Sequence, residues 1–465
     1  MQSRKLAVEV LTRIETTGAY ANLALDSALE KAGMEARDSA FTTALVQGVL
    51  RHKSALDDQI SALSSQPINK IKPPVLNLLR IAIFQLSQME DIPQRAVLDT
   101  AGDIARLVGH QGIVKFVNGV LRSYLRKVEK LSGADGASTS EPQLEKRSDK
   151  TAGQLSRQYS MPEWLVKRWL NNFGQEETIS LLVHCQTPPK LTLRANTMAI
   201  ETAALAEILE RQGLKLSRSR LVESCLIVES KNKNQRKLEE LPGYNEGIFS
   251  VQDESAAFVA QVVDPQAGEV IIDLCAAPGG KSINMAELMD GKGRIIAVDI
   301  HDKRLNLLRD SRLRMGLRNI ETKAFDGRQF KYAGGADRVL VDAPCSGTGV
   351  IAKRADLRSN RDESDLEKLT KIQGALMENA AGLVKNGGVL VYSTCSIEKE
   401  EGPDIIDAFL QKHAEFSRED ISNAFPEGLL EDLELSDQAK NGEVMLLPSR
   451  HKLPGFYIAR LRKYV

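Results

Sequence analysis

The stretch VIIDLCAAPGGKS, Val270 to Ser282, decides the fold of this chain. It opens on an apolar, β-branched run that reads as a buried strand, and it continues past Ser282 as a helix. Between the two, Pro278 stiffens the turn, while Gly279 and Gly280 remove side chains where the backbone must bend tightly and approach a ligand. Three more runs of the same character follow, Arg294–Asp299 (RIIAVD), Arg338–Asp342 (RVLVD) and Gly388–Ser393 (GVLVYS), with helical stretches between them. Strands alternating with helices predict a doubly wound α/β sheet covered on both faces.

Working outward, this domain spans 251–465. Before it, 151–250 reads as a small α+β subdomain: an amphipathic helix from Pro162 to Phe173 carrying Trp164 and Trp169, a helix from Ile200 to Gln212, and short strands at Leu191–Arg194, Leu226–Val228 and Ile248–Val251. Residues 131–150 are rich in Ser, Gly, Asp, Glu and Lys and hold almost nothing apolar to bury, the composition of a flexible linker. From Lys5 to about Val128 apolar residues recur three and four apart, which predicts an all-helical domain of six or seven helices over 1–130.

Composition agrees with several folded, water-soluble domains. The 465 residues carry 62 Lys+Arg against 62 Asp+Glu, a balance that argues against coating nucleic acid non-specifically but leaves room for local basic patches. Five scattered cysteines, an odd number, do not form a disulfide framework and point to a reducing compartment. The start lacks the apolar block of a signal peptide and no run approaches the ~20 residues of a membrane span, so a cytoplasmic protein without a membrane partner is expected.

In doubly wound sheets ligands bind beyond the carboxyl ends of the strands. Asp299 closes the second strand about twenty residues after the glycines, where a carboxylate can accept both hydroxyls of a ribose. The glycine turn matches neither the dinucleotide fingerprint nor the phosphate-binding loop, which leaves a cofactor with one ribose; S-adenosylmethionine fits best. Asp326, in Phe325-Asp-Gly327 past a third strand, can accept from the adenine amino group, although a turn carboxylate before glycine explains it equally well.

Cys275, Cys345 and Cys395 each follow a strand end. A buried inert thiol explains any one of them, but three at one edge call for chemistry. Without CxxC spacing or paired histidines, no metal is expected. A thiolate serves where a poor substrate must be activated covalently. Cytosine carbon 5 is such a case: thiolate addition at carbon 6 makes an enamine that can take a methyl group. The Asp342 carboxyl can then hydrogen-bond ring nitrogen 3 or the exocyclic amino group.

Together, DLCAAPGGKS, Val298-Asp299, DAPCSGTG and STCS resemble the RNA cytosine-5 methyltransferases over roughly 155–465. The resemblance implies that Cys395 is the nucleophile and Cys345 the residue that assists release. It also carries cofactor contacts to Cys275, Ala276, Ala277, Pro278, Gly279, Gly280 and Lys281, and to Asp299, Asp326 and Asp342. Gln252-Asp-Glu-Ser255 resembles the segment preceding the catalytic fold, with helix capping as the simpler account of Asp253 and Ser255. In the helical domain, Val46-Gln-Gly-Val-Leu-Arg51 and Phe116-Val-Asn-Gly-Val-Leu-Arg122 resemble the NusB-like domain of the bacterial RsmB family, also called Sun or Fmu. The implied architecture is multidomain: an all-α NusB-like N-terminal domain, a small α+β subdomain and an α/β, Rossmann-like class I methyltransferase domain. The implied substrate is one cytosine of small-subunit (16S) ribosomal RNA, and the implied state is a monomer. Two rivals remain: the same chemistry on transfer RNA, and a non-catalytic RNA-binding or antitermination factor with a dead methyltransferase fold.

Three basic clusters are candidates for RNA contact. The first holds Arg211, Lys215, Arg218, Arg220, Lys231, Lys233, Arg236 and Lys237, and the second Lys303, Arg304, Arg309, Arg312, Arg314 and Arg318. The third, Lys353, Arg354, Arg358 and Arg361, directly follows the Pro-Cys motif and is the favoured one, although clusters of this kind are often solvated helix faces.

Overall fold

A computed structural model describes residues 1–19, 21–89, 91–132, 150–230 and 238–464. The expected linker lies outside the described residues from 133 to 149, as do Lys231, Lys233, Arg236 and Lys237. The chain packs as two compact units, Met1–Pro188 with Ala352–Asn360, and Pro189–Ile351 with Arg361–Val465. The sequence reading starts the small subdomain at 151; by packing, residues 151–188 group with the helical unit, and the subdomain's sheet starts at Leu191.

In the first unit, α1 (Gln2–Thr17), α2 (Ala21–Ala32), α3 (Ala36–Arg51), α4 (Lys53–Leu63), α5 (Pro73–Gln88), α6 (Gln94–Val108) and α7 (Gln111–Ser132) realise the expected helical domain. Helix α5 is buried without a break from Val75 to Gln85, so it forms the axis on which its neighbours lay their apolar stripes. A side chain at Gly48 of α3 would overlap the Phe84 ring of α5, so the glycine in Val46–Arg51 lets the two helices approach. Arg80, 2% exposed, is held by Asp57 at 2.6 Å and Glu15 at 3.2 Å. A Thr151–Gln154 capping box starts α8 (Ala152–Tyr159), and α9 (Glu163–Gln186) turns at Gly174.

The segment Ala352–Asn360 packs within this unit, with Ala355 in its apolar core. Here the expectation for the third basic cluster is corrected at Arg358. Arg358 is 7% exposed, and its guanidinium donates to the carbonyls of Arg51 at 2.6 Å, Tyr159 at 3.3 Å and Cys185. Arg354 pairs with Asp356 at 3.1 Å. A buried guanidinium committed to backbone carbonyls is not presented to phosphate.

The second unit holds two sheets. The smaller is antiparallel in the order β2 (Lys215–Arg218), β3 (Cys225–Ser230), β1 (Leu191–Ala195), β4 (Phe249–Val251), and α10 (Thr202–Arg211) packs Leu205 and Leu209 against it. Buried Arg194 on β1 bonds Gln252 at 2.7 Å and Glu287 at 3.0 Å; Glu287 lies on a helix of the larger fold. That larger fold runs α11 (Glu254–Val263), β5 (Val270–Asp273), α12 (Gly280–Leu288), β6 (Arg294–Asp299), α13 (Asp302–Arg314), β7 (Ile320–Ala324), β8 (Ala336–Asp342), α14 (Glu363–Leu383), β9 (Val384–Thr394), α15 (Pro403–Lys412), β10 (Phe416–Arg418), β11 (Glu443–Leu446) and β12 (Phe456–Lys463). Its sheet order is β10-β12-β9-β8-β5-β6-β7, with β11 also on β12. Strands β5 to β9 are parallel and β12 is antiparallel to β9. The order reverses between β5 and β8, which places a ligand crevice at their carboxyl ends. Asp253 takes the N-cap position of α11 without a capping bond, and Ser255 instead donates to the Pro454 carbonyl at 2.8 Å.

Candidate active site

The loop after β5 is held from below and from the side. Asp273 is buried and accepts from Ser282 Oγ at 2.6 Å; burial pushes its carboxyl up to about 7. Gly279 has φ +112°, and a Cβ there would lie 2.5 Å from Leu308, so both conformation and space require glycine. Asp299 accepts from the amides of Ala277 at 3.1 Å and His301 at 2.8 Å, while Arg304 donates to the Ala277 carbonyl at 2.7 Å. The turn is thereby fixed with the Asp299 carboxyl at its mouth.

In front of it lies a pocket of about 400 Å³ that brings Cys275, Ala277, Asp299, Asp326, Asp342, Cys345 and Cys395 together. Carboxylates at three strand ends, with Leu274, Ile300 and Leu376 as apolar walls, suit a nucleoside that carries a positive sulfonium. Arg328 clamps Asp326 at 2.6 Å and 3.0 Å and holds its carboxyl below the usual carboxylate range. Ala276, Pro278, Gly279 and Gly280 shape the turn without lining the pocket. Lys281 does not line it either: its Nζ donates to Asp342 Oδ2 at 2.7 Å, and Ser393 Oγ donates to Asp342 Oδ1 at 2.8 Å.

At the far end, the sulfurs of Cys345 and Cys395 are 3.3 Å apart, just past the ends of adjacent β8 and β9. Their shared hydrogen bond lowers the Cys395 thiol and raises that of Cys345; the nearby Lys281 ammonium also favours charge on Cys395. Burial keeps the other three protonated, with Cys185 pushed up to about 11, Cys225 to about 12 and Cys275 well above the ordinary thiol range. The structure thus separates three strand-end cysteines that look alike in the sequence. Of the three, Cys395 alone has its thiol lowered.

Sequence reading missed Gln373 and Glu401, and had Arg361 only as part of a basic cluster. Gln373 bonds the Pro344 carbonyl at 2.9 Å, Glu401 accepts from the Ser346 amide at 2.9 Å, and Arg361 donates to the Cys345 carbonyl at 3.3 Å. Arg304 stood only as part of a basic run. Other members of that run are also occupied: Arg309 by Thr322 at 2.9 Å and Asp302 at 2.7 Å, Arg312 by the Ile320 carbonyl at 2.6 Å, and Arg314 by the Phe249 carbonyl at 3.1 Å.

Comparison with known proteins agrees with this architecture. Residues 260–462 match the family described as 16S rRNA methyltransferase RsmB/F, 1–126 the NusB family, and 161–234 the ferredoxin-like domain of RsmF/B-like methyltransferases. The Bacillus subtilis protein named "Probable ribosomal RNA small subunit methyltransferase B" is 34% identical, over 99% of this chain and 98% of its own. The ribosomal RNA small subunit methyltransferase B of Shewanella oneidensis is 30% identical, over 100% and 99%. The crystal structure of a methyltransferase homolog from Pyrococcus horikoshii superposes with a TM-score of 0.58 at 27% identity, covering 68% of this chain and 100% of that one. The chain belongs to the RsmB family of S-adenosylmethionine-dependent methyltransferases that act on small-subunit ribosomal RNA.

Proposed function

We propose that the chain methylates carbon 5 of one cytosine in small-subunit ribosomal RNA through a covalent cysteine adduct. One observation carries this reading: two thiols 3.3 Å apart at adjacent strand ends, the lowered one beside a Lys281–Asp342 pair. A methyl transfer to oxygen or to an amino group needs no thiolate, whereas carbon 5 of cytosine does.

The residues divide the work. Cys395 adds to carbon 6, and the Asp342 carboxyl, fixed by Lys281 and Ser393, is placed to bond ring nitrogen 3 or the amino group as charge develops there. S-adenosylmethionine, when bound against Asp299, Asp326 and the 275–281 turn, supplies the methyl group that carbon 5 accepts. Once Cys395 is bonded to carbon 6, Cys345 loses its S–H proton to solvent and, as thiolate, takes the proton from carbon 5; the electron pair of that C–H bond restores the ring double bond, and the carbon 6–sulfur bond breaks with its pair returning to Cys395.

The test uses undermethylated small-subunit RNA, labelled cofactor and denaturing gels. Cys395→Ala is expected to transfer no label, and Cys345→Ala to accumulate a labelled protein–RNA adduct. Free methylated RNA from Cys395→Ala would sink the reading. Label on transfer RNA alone would keep the chemistry and change the substrate.

A further inference from the structure

Glu401, on the turn of 3-10 helix Lys399–Glu401, is fully buried, and the mechanism above does not use it. Its carboxyl oxygens meet donors: the Ser346 amide at 2.9 Å and 3.2 Å, the Ser346 hydroxyl, and Gln373 Nε2 at 3.0 Å. The same Gln373 amide nitrogen donates to the Pro344 carbonyl at 2.9 Å. Glu401 and Gln373 therefore grip the backbone on both sides of Cys345. Gln373 is itself fully buried, so the grip has no solvent to compete with it.

The gripped loop is also tied to the other thiol's loop. Gly349 donates to the Cys395 carbonyl at 3.0 Å, Ile397 to Thr348 Oγ1 at 3.1 Å, and the Ser346 and Ser396 hydroxyls lie 3.2 Å apart. The tie locates one loop against the other, and Glu401 fixes the part that bears Cys345.

We infer that Glu401, acting with Gln373, is the positioning residue of Cys345, and that it serves release of the adduct rather than its formation. The inference rests on the thiol roles proposed above. The chemistry favours it: proton removal from carbon 5 needs the Cys345 sulfur at a set place, whereas Cys395 attacks from the end of β9, which the Glu401 carboxyl reaches only through the Ser346 hydroxyl. A misplacement of about 1 Å costs on the order of 10²-fold in such a step.

The test follows first-turnover methyl transfer and adduct decay separately in the full-length protein with small-subunit RNA. Glu401→Gln turns an amide N–H₂ toward a cluster of donors; adduct decay is expected to slow by about 10²-fold with first-turnover transfer nearly unchanged. Glu401→Asp, which keeps two accepting oxygens, should recover part of the release rate. If Glu401→Gln does not fold, Gln373→Met must show the same split. Wild-type release in a folded Glu401→Gln, or an equal fall in transfer and release, overturns the inference. Cys345→Ala runs alongside: an adduct there but not in Glu401→Gln overturns this inference alone, and none in either overturns the thiol roles as well.

Discussion

Each unit buries a cation, and the two are partnered in opposite ways. Arg358 of the helical unit sits among backbone carbonyls, and burial pushes its guanidinium down to about 10. The Lys281 side chain of the catalytic unit is 12% exposed, and this partial loss of water would by itself push its ammonium down, but Asp342 outweighs it and the net shift is upward. Carbonyl dipoles are fixed, so Arg358 works as a fastener with one arrangement. Asp342 lines a pocket, so the charge it shares with Lys281 can be redistributed when a ligand enters. A buried cation is thus read by what faces it, not by its depth.

The largest break in this contrast is Lys281→Met. It removes the partner of Asp342 and the cation beside Cys395, so single-turnover methyl transfer should fall by about 10³-fold. The pH midpoint for alkylation of Cys395, followed by peptide mass spectrometry, should rise, because the nearby ammonium favours the thiolate. An unmoved midpoint would show that Lys281 serves Asp342 alone. Next comes Arg358→Met, which takes that donor from the buried carbonyls of Arg51 and Cys185 and should cost the helical unit about 3 kcal/mol. Both tryptophans, Trp164 and Trp169, belong to this unit, so urea unfolding followed by their fluorescence reads it directly. Unchanged stability with weakened RNA binding would return Arg358 to the surface role that its sequence context suggests.

That context shows what the sequence can and cannot carry. Asp299, Asp326, Asp342, Cys345 and Cys395 could be singled out in advance as neighbours because strand ends are visible as the close of apolar runs, and all five line the pocket. The helical unit was legible from its periodicity. Arg358 was not, because a charged residue on a helix reads the same whether its face meets water or carbonyls. Strand β2, Lys215–Arg218, is a half-polar edge strand of four residues and lacks an apolar run like Leu226–Val228 of β3. The packing division at Pro188 leaves no mark in the sequence, because α8 and α9 are amphipathic whichever unit they join. Glu401 and Gln373 became a grip on Cys345 only when residues 346, 373 and 401 met in space.

The smallest expected effect sharpens the contrast most, since it has opposite sign in the two units. His52 packs on Phe84, and burial, with Arg51 and Arg358 nearby, lowers its imidazole from 6.5 to about 4. Between those values the unfolded chain holds a proton that the folded unit does not, so His52 adds stability to the helical unit as pH rises from 4 to 6.5. Asp273 is raised from 3.8 to about 7, so in the catalytic unit the folded form keeps a proton that the unfolded chain has lost. Its contribution is complete below 3.8 and fades as pH rises through 7. Each slope approaches about 1.4 kcal/mol per pH unit where the proton difference is full. Tryptophan fluorescence reports the first unit, and alkylation of Cys225, fully buried in the second, reports the other. His52→Gln should flatten the rise and Asp273→Asn the fall, each in its own unit. If Asp273→Asn keeps the wild-type slope, the carboxyl beneath the cofactor turn is ionised at neutral pH, and the negative charge facing Lys281 is larger than Asp342 alone supplies.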